Sequence, residues 1–369
     1  MATRITYAGA GVDTAAGDRA VELMKSAVAR THGPHVLGGV GGFAGLFDAS
    51  MLKDYTRPLL ASSTDGVGTK VAIAQQLDIH HTIGADLVGM VVDDIVVCGA
   101  RPLVMTDYIA TGKVVPERIA DIVRGIAAAC EETGTALVGG ETAEHPGLLA
   151  ENEYDVAGAA VGVVEADALL GPDRVQDGDV VLALPSSGLH SNGYSLVRAI
   201  IAHAGWTLDR EVADFGRTLG EELLEPTRLY TTPCLSLADA LGTDMRAFSH
   251  VTGGGLGQNL ARVIPVGLSA TVDRSSWDIP PVFAVMQALG DVPWTDLENT
   301  LNLGVGMVAI VAPESVDAAV ANLAASGLPA WELGRVSSVE KPAPDGSTLI
   351  TGAKGVHGGQ VALIGDYRV

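Results

Sequence analysis

Short apolar runs of strand length alternate with longer amphipathic stretches along the chain. The strand-like runs, rich in Val, Leu and Ala, lie at 59–64, 103–110, 135–140, 155–165 and 180–185. The longer stretches have helix-like spacing and lie at 86–100, 116–134 and 195–205. The last two end at Gly134 and Gly205, the residue type that commonly follows a final helical turn. This alternation predicts an α/β fold.

The length of the chain predicts two domains. Its 369 residues exceed what one ordinary hydrophobic core accommodates. The segment 166–179 is rich in turn-forming residues and follows the last strand-like run of the first half. We place the boundary there, which gives an N-terminal domain over 1–170 and a C-terminal α/β domain over 171–369.

Composition and charge narrow the classes of function. The chain has 44 acidic and 23 basic residues and a net charge of −21, which argues against nucleic acid or an anionic membrane as a partner. No apolar run approaches the roughly 20 residues that a membrane helix needs, so a cytoplasmic protein is expected. Cys98, Cys130 and Cys234 are far apart in sequence, which favours free thiols over zinc ligands or disulfides. A small anionic ligand needs a local positive group or a bound cation.

The segment DGVGTK, residues 65–70, follows the first strand-like run, where α/β sheets usually bind ligands. It does not match the Walker A pattern. Asp65 can ligate a cation, Gly66 and Gly68 let backbone N–H groups approach an anion, and Lys70 can neutralise oxygen charge. A glycine turn with a solvated lysine is the alternative, and these six residues do not decide between the two.

Two further segments supply acidic residues. Asp86, Asp93 and Asp94 lie at i, i+7 and i+8 of a predicted, largely apolar helix, which indicates either a cation site or a polar helix edge. The segment LVGGETAE brings Glu141 to the end of another strand-like run. A polyphosphate with Lys70 as the nearby base would need a metal to offset repulsion. The acids that we predict to hold Mg²⁺ are Asp65, Asp93, Asp94 and Glu141.

The second half contains two loops that each precede a predicted helix. One carries Ser187, His190 and Asn192, and the other is the run 252–255, Thr-Gly-Gly-Gly. Helix N-termini attract anions, but Ser and Asn are also ordinary caps and a single histidine is often structural. The stretches GVGGFA and GVGMVA match a dinucleotide motif only by chance in a chain with 46 glycines, and no G-x-S-x-G occurs. The sequence therefore argues against a dinucleotide fold and against an α/β-hydrolase.

Taken together, these segments resemble the phosphoribosylformylglycinamidine cyclo-ligase (aminoimidazole ribonucleotide synthetase) family over nearly the whole chain. The resemblance rests on YAGAGVDTAAGD, GGVGGFAGLFD, STDGVGTK, HTIGADLVGM, GGETAE, EYDVAGAAVGVVE, SSGLHSNGYSLVR, HVTGGGLGQNLARVIP and LNLGVGM, in this order.

The resemblance implies an architecture and a reaction. The N-terminal domain would form half of an eight-stranded β-barrel shared between the subunits of a homodimer, followed by a C-terminal α/β domain. The family uses ATP as co-substrate to cyclise formylglycinamidine ribonucleotide to aminoimidazole ribonucleotide in purine biosynthesis, releasing ADP and phosphate. Mg²⁺ is the expected cofactor and K⁺ an additional candidate, with neither nucleic acid nor membrane as a partner.

The resemblance also implies roles for individual residues. Asp65, Lys70 and His190 would be catalytic, and Asp65, Asp93, Asp94 and Glu141 would bind the metal. Residues expected at the nucleotide are Asp13, Lys25, Gly66, Val67, Gly68, Thr69, Lys70, Gly139 and Gly140. Residues expected at the ribonucleotide substrate are Gly41, Gly42, Ser187, His190, Asn192, Thr252, Gly253, Gly254 and Gly255.

Three residues depart from the family pattern: Asp93 replaces Asn, Arg101 replaces Glu and His145 replaces Met. Other ATP-using members of the superfamily fit less well. A selenophosphate synthetase would carry a reactive cysteine near its start, and a hydrogenase maturation factor would end in a cysteine motif. A glutamine-dependent amidotransferase relative usually needs a longer chain. A nucleotide-binding module without turnover is the alternative from a different functional class.

Overall fold

The computed structural model describes residues 11, 13–39, 41–340, 343–352, 355 and 358–369. These residues form two compact units. The first unit contains the described residues of Met1–Ile95 and Arg101–Glu165, and the second contains those of Val96–Ala100 and Ala166–Val369.

The first unit is built on a four-stranded sheet. The strands of this unit are β1 (Val36–Leu37), β2 (Leu46–Phe47), β3 (Pro58–Gly66), β4 (Arg101–Thr111), β5 (Ala136–Glu144) and β6 (Tyr154–Glu165). The sheet order is β3-β6-β4-β5, and β1 pairs with β2 separately. Strand β6 runs antiparallel to β3 and β4, whereas β4 runs parallel to β5. The carboxyl ends of β3, β4 and β5 therefore lie at the same edge of the sheet.

Four helices accompany this sheet. They are α1 (Thr14–Arg30), α2 (Val71–Leu77), α3 (Ile83–Val96) and α4 (Pro116–Thr133). Helix α4 begins with Pro116, whose ring suits a first helical turn, and ends at Gly134, which has a φ of 67°. The predicted helix over 116–134 and its glycine stop are confirmed.

Helices α3 and α4 approach each other through two glycines. A Cβ atom on Gly84 of α3 would lie 2.0 Å from the carbonyl carbon of Gly125 on α4. A Cβ on Gly125 would in turn lie 1.9 Å from the carbonyl oxygen of His81. No larger residue fits at either position without separating the helices.

The two faces of the sheet have different environments. Along β4, Met105, Asp107 and Ile109 are buried while Tyr108 between them is 41% exposed. A Cβ on Gly158 of β6 would lie 2.6 Å from the Cε atom of Met105 and 3.4 Å from a methyl carbon of Leu87 on α3, so α3 covers the face that contains Asp107. We call this the helix face. The opposite, open face exposes apolar side chains such as that of Leu60, which is 64% exposed.

The second unit contains a seven-stranded sheet. The strands of this unit are β7 (Val180–Pro185), β8 (Glu211–Val212), β9 (Arg217–Thr218), β10 (Met245–His250), β11 (Leu268–Asp273), β12 (Val305–Val311), β13 (Trp331–Ser338), β14 (Thr348–Thr351) and β15 (Gln360–Ile364). The sheet order is β10-β12-β7-β13-β11-β15-β14, and β8 pairs with β9 separately. Strands β11 and β15 run parallel, whereas the other neighbouring strands of this sheet run antiparallel.

Helices accompany the sheet of the second unit. They are α5 (Tyr194–Ala204), α6 (Leu219–Leu223), α7 (Thr231–Leu241), α8 (Gly255–Leu260), α9 (Pro281–Gly290), α10 (Trp294–Glu298) and α11 (Val316–Ala325). Helix α5 packs against α9, and α7 packs against α11. Every residue of β12 is buried, which requires cover on both sides of the sheet. Strand β7 has the bounds predicted from its apolar run. No helix in the described part of the chain could cross a lipid bilayer.

Candidate active site

The segment Asp65–Lys70, which we call the glycine loop, joins β3 to α2 through a single 3₁₀ turn. The N–H group of Val67 donates to the carbonyl of Val156 on β6 at 3.1 Å, which ties the loop to the sheet. Gly68 has a φ of 72°, a backbone conformation that favours glycine. The loop therefore occupies the predicted position, after a strand and before a helix.

The loop presents both exposed and buried groups. Asp65, Gly68 and Thr69 are exposed, whereas the Val67 side chain is buried. One carboxylate oxygen of Asp65 accepts a hydrogen bond from the N–H of Gly66 at 2.7 Å. The exposed part of the loop can thus offer one carboxylate, one hydroxyl and backbone groups to a ligand.

Lys70 lies in the interior of the first unit. Its side chain is 0% exposed, and its Nζ lies 2.8 Å from Oδ1 of Asp86, whose side chain is also 0% exposed. That Lys70 neutralises phosphate charge stays a prediction, because its ammonium lies beside an internal carboxylate in this structure. Asp86 lies in the first turn of α3, and the sequence predicted it at a cation site or at a polar helix edge.

The strand register separates two of the predicted metal ligands. Asp65 on β3 lies opposite Gly158 on β6, which lies opposite Asp107 on β4. Glu141 on β5 lies opposite Tyr108, one residue further along β4. Because adjacent residues of a strand point to opposite faces, Asp65 projects on the helix face and Glu141 on the open face.

The predicted acids therefore do not form one metal site within the described chain. Asp93 on α3 is fully buried and Asp94 is half-buried. Across the described residues, no group of three or more His, Cys, Asp and Glu side chains is arranged to hold a metal ion. The register places Asp65 and Glu141 on different faces of the sheet, and metal binding by the expected set stays a prediction.

Asp107 is a buried acid that the sequence reasoning missed. It is 9% exposed on the helix face, and burial raises its pKa from 3.8 to about 7. Its neighbour across the β4–β5 pair is Gly140, one of the residues expected at the nucleotide. The alternation of side chains along a strand could have revealed it. Asp107 is two residues from both Met105 and Ile109, so it shares their buried face within an otherwise apolar run.

The N-terminal segment is attached to the end of β5. The N–H group of Asp13 donates to a carboxylate oxygen of Glu144 at 2.6 Å, and the other oxygen of Glu144 accepts from the N–H of Val114 at 2.7 Å. The carboxylate of Asp13 caps α1 by accepting two backbone hydrogen bonds. Lys25, further along α1, is exposed and lies 3.9 Å from Glu22. Closure of this segment over a nucleotide stays a prediction.

The remaining glycines predicted in the first unit lie in two places. Gly41 and Gly42 are exposed in the connection between β1 and β2, and Gly41 has a φ of 110°. Gly139 and Gly140 lie within β5 itself. The motif at 7–18 falls partly outside the described residues, as does Val40 of the GGVGGF loop.

His190 occupies a constrained position in the second unit. It is a non-glycine residue with a φ of 61°, and its ring is buried. Its Nε2 atom accepts a hydrogen bond from the N–H of Ser187 at 3.2 Å. The Tyr230 ring lies next to it, with 6.1 Å between the two ring centroids, and the His250 ring lies 6.4 Å from that of Tyr230. Neither Tyr230 nor His250 was among the predicted site residues.

The two predicted substrate loops of the second unit meet. A Cβ on Gly253 would lie 3.4 Å from the Oδ1 atom of Asn192, so the two loops approach each other closely. The second loop is closed by Asn259, whose amide donates to the carbonyls of Thr252 at 3.1 Å and Gly255 at 2.8 Å. Gly254 has a φ of 104° and Gly255 a φ of 69°. These residues, distant in sequence, therefore lie near one another.

Asn302, from the LNLGVGM motif, supports the first of these loops. It accepts from the Ser186 hydroxyl at 3.1 Å and from the N–H of Gly304 at 2.9 Å, and it donates to the carbonyl of Gly188 at 2.9 Å. Asn302 is buried and was not predicted as a site residue. All its hydrogen-bonding partners lie in the loop or in its own turn, so its function is to hold the loop in place.

The remaining residues singled out from the sequence are Arg101, His145 and the three cysteines. Arg101 is exposed at the start of β4, and the Nε2 atom of His145 lies 3.2 Å from the Tyr108 hydroxyl. The three cysteines are free thiols, with Cys130 and Cys234 buried and Cys98 half-buried.

Comparison with known families accounts for both units. Residues 47–164 match the family model described as AIR synthase related protein, N-terminal domain. Residues 176–345 match the model described as AIR synthase related protein, C-terminal domain.

Similar proteins and structures extend this match. A phosphoribosylformylglycinamidine cyclo-ligase from Desulfitobacterium hafniense is 50% identical over 332 residues, covering 90% of this chain and 96% of the relative. The crystal structure of thiamine-monophosphate kinase from Stenotrophomonas maltophilia aligns with a TM-score of 0.63 at 20% identity, over 92% of this chain and 95% of the other. The hydrogenase maturation protein HypE in complex with ATP aligns with a TM-score of 0.61 at 18% identity, over 94% of each chain. The two structural matches show a shared fold.

Proposed function

The chain belongs to the phosphoribosylformylglycinamidine cyclo-ligase family, and from this premise we propose how its residues serve the reaction of that family. The protein is a ligase that forms a C–N bond in purine biosynthesis. It cyclises formylglycinamidine ribonucleotide to 5-aminoimidazole ribonucleotide and converts ATP to ADP and phosphate. The observation that carries this function is 50% identity over 90% of the chain to a cyclo-ligase that the chain covers almost completely.

The chemistry requires activation of a poor leaving group. ATP phosphorylates the formyl oxygen, a substrate nitrogen attacks the same carbon, and the ring closes with release of phosphate. Phosphoryl transfer depends mainly on positioning and charge neutralisation, and no covalent bond to the protein is needed. This requirement agrees with the groups at the candidate site, which are backbone amides, a carboxylate and hydroxyls.

On the nucleotide side, we assign the exposed groups of the glycine loop. The N–H group of Gly68 and the hydroxyl of Thr69 would contact the phosphates, with Asp65 beside them. The N–H groups of Gly66 and Val67 already donate within the protein. The fold shared with a hydrogenase maturation protein solved with ATP supports nucleotide binding. Binding of Mg²⁺ and K⁺ stays a prediction, and the strand register places Asp65 and Glu141, two of the expected ligands, on opposite faces of the sheet.

On the ribonucleotide side, we assign the two loops that meet in the second unit. Asn192 and the Thr252–Gly255 run would bind polar or anionic groups of the substrate through side-chain and backbone donors. His190 would orient its own loop from within, since its ring is buried and accepts from Ser187. The same loops carry the sequence motifs most specific to the family.

A second copy of the chain would cover the open face of the first unit's sheet. The exposed side chains of Leu60 and Tyr108 lie on that face, where association would remove apolar area from water. Pairing two such four-stranded sheets would complete the eight-stranded barrel that the family resemblance implies. Sedimentation of the purified protein distinguishes a dimer from a monomer. A cytoplasmic location stays a prediction.

The test of the function is direct. The purified protein is incubated with formylglycinamidine ribonucleotide, ATP and Mg²⁺, and 5-aminoimidazole ribonucleotide and ADP are quantified. Equal amounts of the two products are expected. ATP binding without cyclised product would instead indicate a nucleotide-binding module without turnover.

A further inference from the structure

The ion pair between Lys70 and Asp86 links the glycine loop to α3. Lys70 is the last residue of the loop and immediately precedes α2. Asp86 lies in the first turn of α3, and both side chains are fully buried with 2.8 Å between Nζ and Oδ1. The pair therefore joins the element that carries Asp65 to the helix that carries Asp93 and Asp94.

Burying two charges is costly unless each compensates the other. Removing one partner leaves an unbalanced charge in a medium of low polarity, which is strongly unfavourable. For Lys70 to reach a bound phosphate, its ammonium would have to leave Asp86 and abandon that carboxylate in the interior. The geometry therefore favours a lysine that stays in place beneath the loop.

We infer that Lys70 is a positioning residue that acts through Asp86 and does not contact the nucleotide. The pair holds the end of the glycine loop against α3, so that the exposed loop groups keep a fixed arrangement. This inference rests on the proposed nucleotide site at the loop. It replaces a direct role for the conspicuous lysine of the DGVGTK motif with an internal one.

A double-mutant cycle tests the inference. The variants are Lys70→Met, Asp86→Leu and the combination of both, which replaces the ion pair with apolar groups of similar size. Each single variant should weaken ATP binding by about tenfold or more, because an unbalanced buried charge displaces the loop. The combined variant should bind ATP within about threefold of the wild type, because neither charge of the pair remains in the interior.

A direct contact between Lys70 and phosphate predicts that the combined variant loses affinity as Lys70→Met does, and that Asp86→Leu alone binds ATP normally; either result overturns the inference. If the single variants do not fold, the combined variant alone decides by the same thresholds. In steady-state assays, the single variants should raise the KM for ATP more than that for the ribonucleotide, a split that general destabilisation would not produce.

Two controls accompany the cycle. Glu117→Gln removes an exposed partner of Arg19 in the same unit and should leave ATP binding unchanged. ATP affinity is measured by equilibrium dialysis with Mg²⁺ and without the ribonucleotide. A wild-type protein that binds ATP but forms no product would contradict the proposed reaction and still allow the cycle to be read.

Discussion

A Cβ atom placed on Gly140 of β5 lies 2.3 Å from Oδ1 of Asp107 on β4, so the carboxyl group of Asp107 fills the space that a side chain at position 140 would need. The pair joins a buried titratable group to the GGE segment of the candidate site. The sequence predicted Asp107 in a strand and Gly140 at the nucleotide, and no local pattern indicated that the two residues are in contact.

Gly140→Ala should destabilise the first unit. The added methyl group would overlap a buried carboxyl group that has little room to move, and such overpacking costs about 1 to 3 kcal/mol. Urea denaturation measures the loss. Gly139→Ala is the matched control, because its Cβ would lie 3.9 Å from its nearest neighbour, a methyl carbon of Thr106. Equal stability of the two variants would contradict the contact.

Asp107→Asn should change the pH dependence of stability. Because burial raises the pKa of Asp107 from 3.8 to about 7, the folded protein retains a proton that the unfolded chain releases. This bound proton stabilises the folded state fully below pH 3.8, and the stabilisation is lost as the pH rises through about 7. Relative to the wild type, the variant should gain about 2 to 3 kcal/mol between pH 5 and pH 8. If the difference in unfolding free energy between the variant and the wild type stays constant across this pH range, Asp107 has an ordinary pKa.

Asn302→Ala should impair substrate binding by releasing the loop at Ser186 and Gly188. It removes three hydrogen bonds and leaves buried partners unsatisfied, at a cost of about 1 to 3 kcal/mol. We expect the KM for the ribonucleotide to rise at least tenfold, with a smaller change in the KM for ATP. Asn322→Ala, which removes an amide that contacts Ser236 in the same unit, is the control and should leave both constants unchanged.

Glu298→Gln should destabilise the second unit strongly. Glu298 is buried and accepts from Arg274 at 2.6 Å and 3.0 Å and from the Tyr367 hydroxyl at 2.6 Å. Neutralising it leaves the Arg274 guanidinium without its counter-ion, which costs about 3 to 5 kcal/mol. Glu332→Gln breaks a surface pair with Arg335 and should change stability by less than about 1 kcal/mol. Thermal unfolding of the two variants compares the buried pair with the exposed one.

Local patterns predicted most of the strands and helices near the candidate site. The apolar run over 180–185 matches β7, and Gly134 ends α4 as its position suggested. These features depend on side-chain periodicity and on the backbone freedom of glycine, both of which are properties of neighbouring residues. The family motifs are also local, so the reaction was recognisable before the fold was known.

The relations between distant residues were not predictable in the same way. From the sequence, Asp65 and Glu141 were expected to share a metal, and Lys70 was expected at a phosphate. Strand register places the two acids on opposite faces, and packing buries Lys70 against Asp86.

The sequence by itself determined the element types, the family and the chemistry that the motifs can support, because these depend on residues close together in the chain. Only the tertiary structure decided which face each carboxylate occupies and which charges lie in the interior. A shift of one residue in strand pairing reverses the face of a side chain, and the burial of a charge depends on what packs over it; neither is encoded in a local pattern.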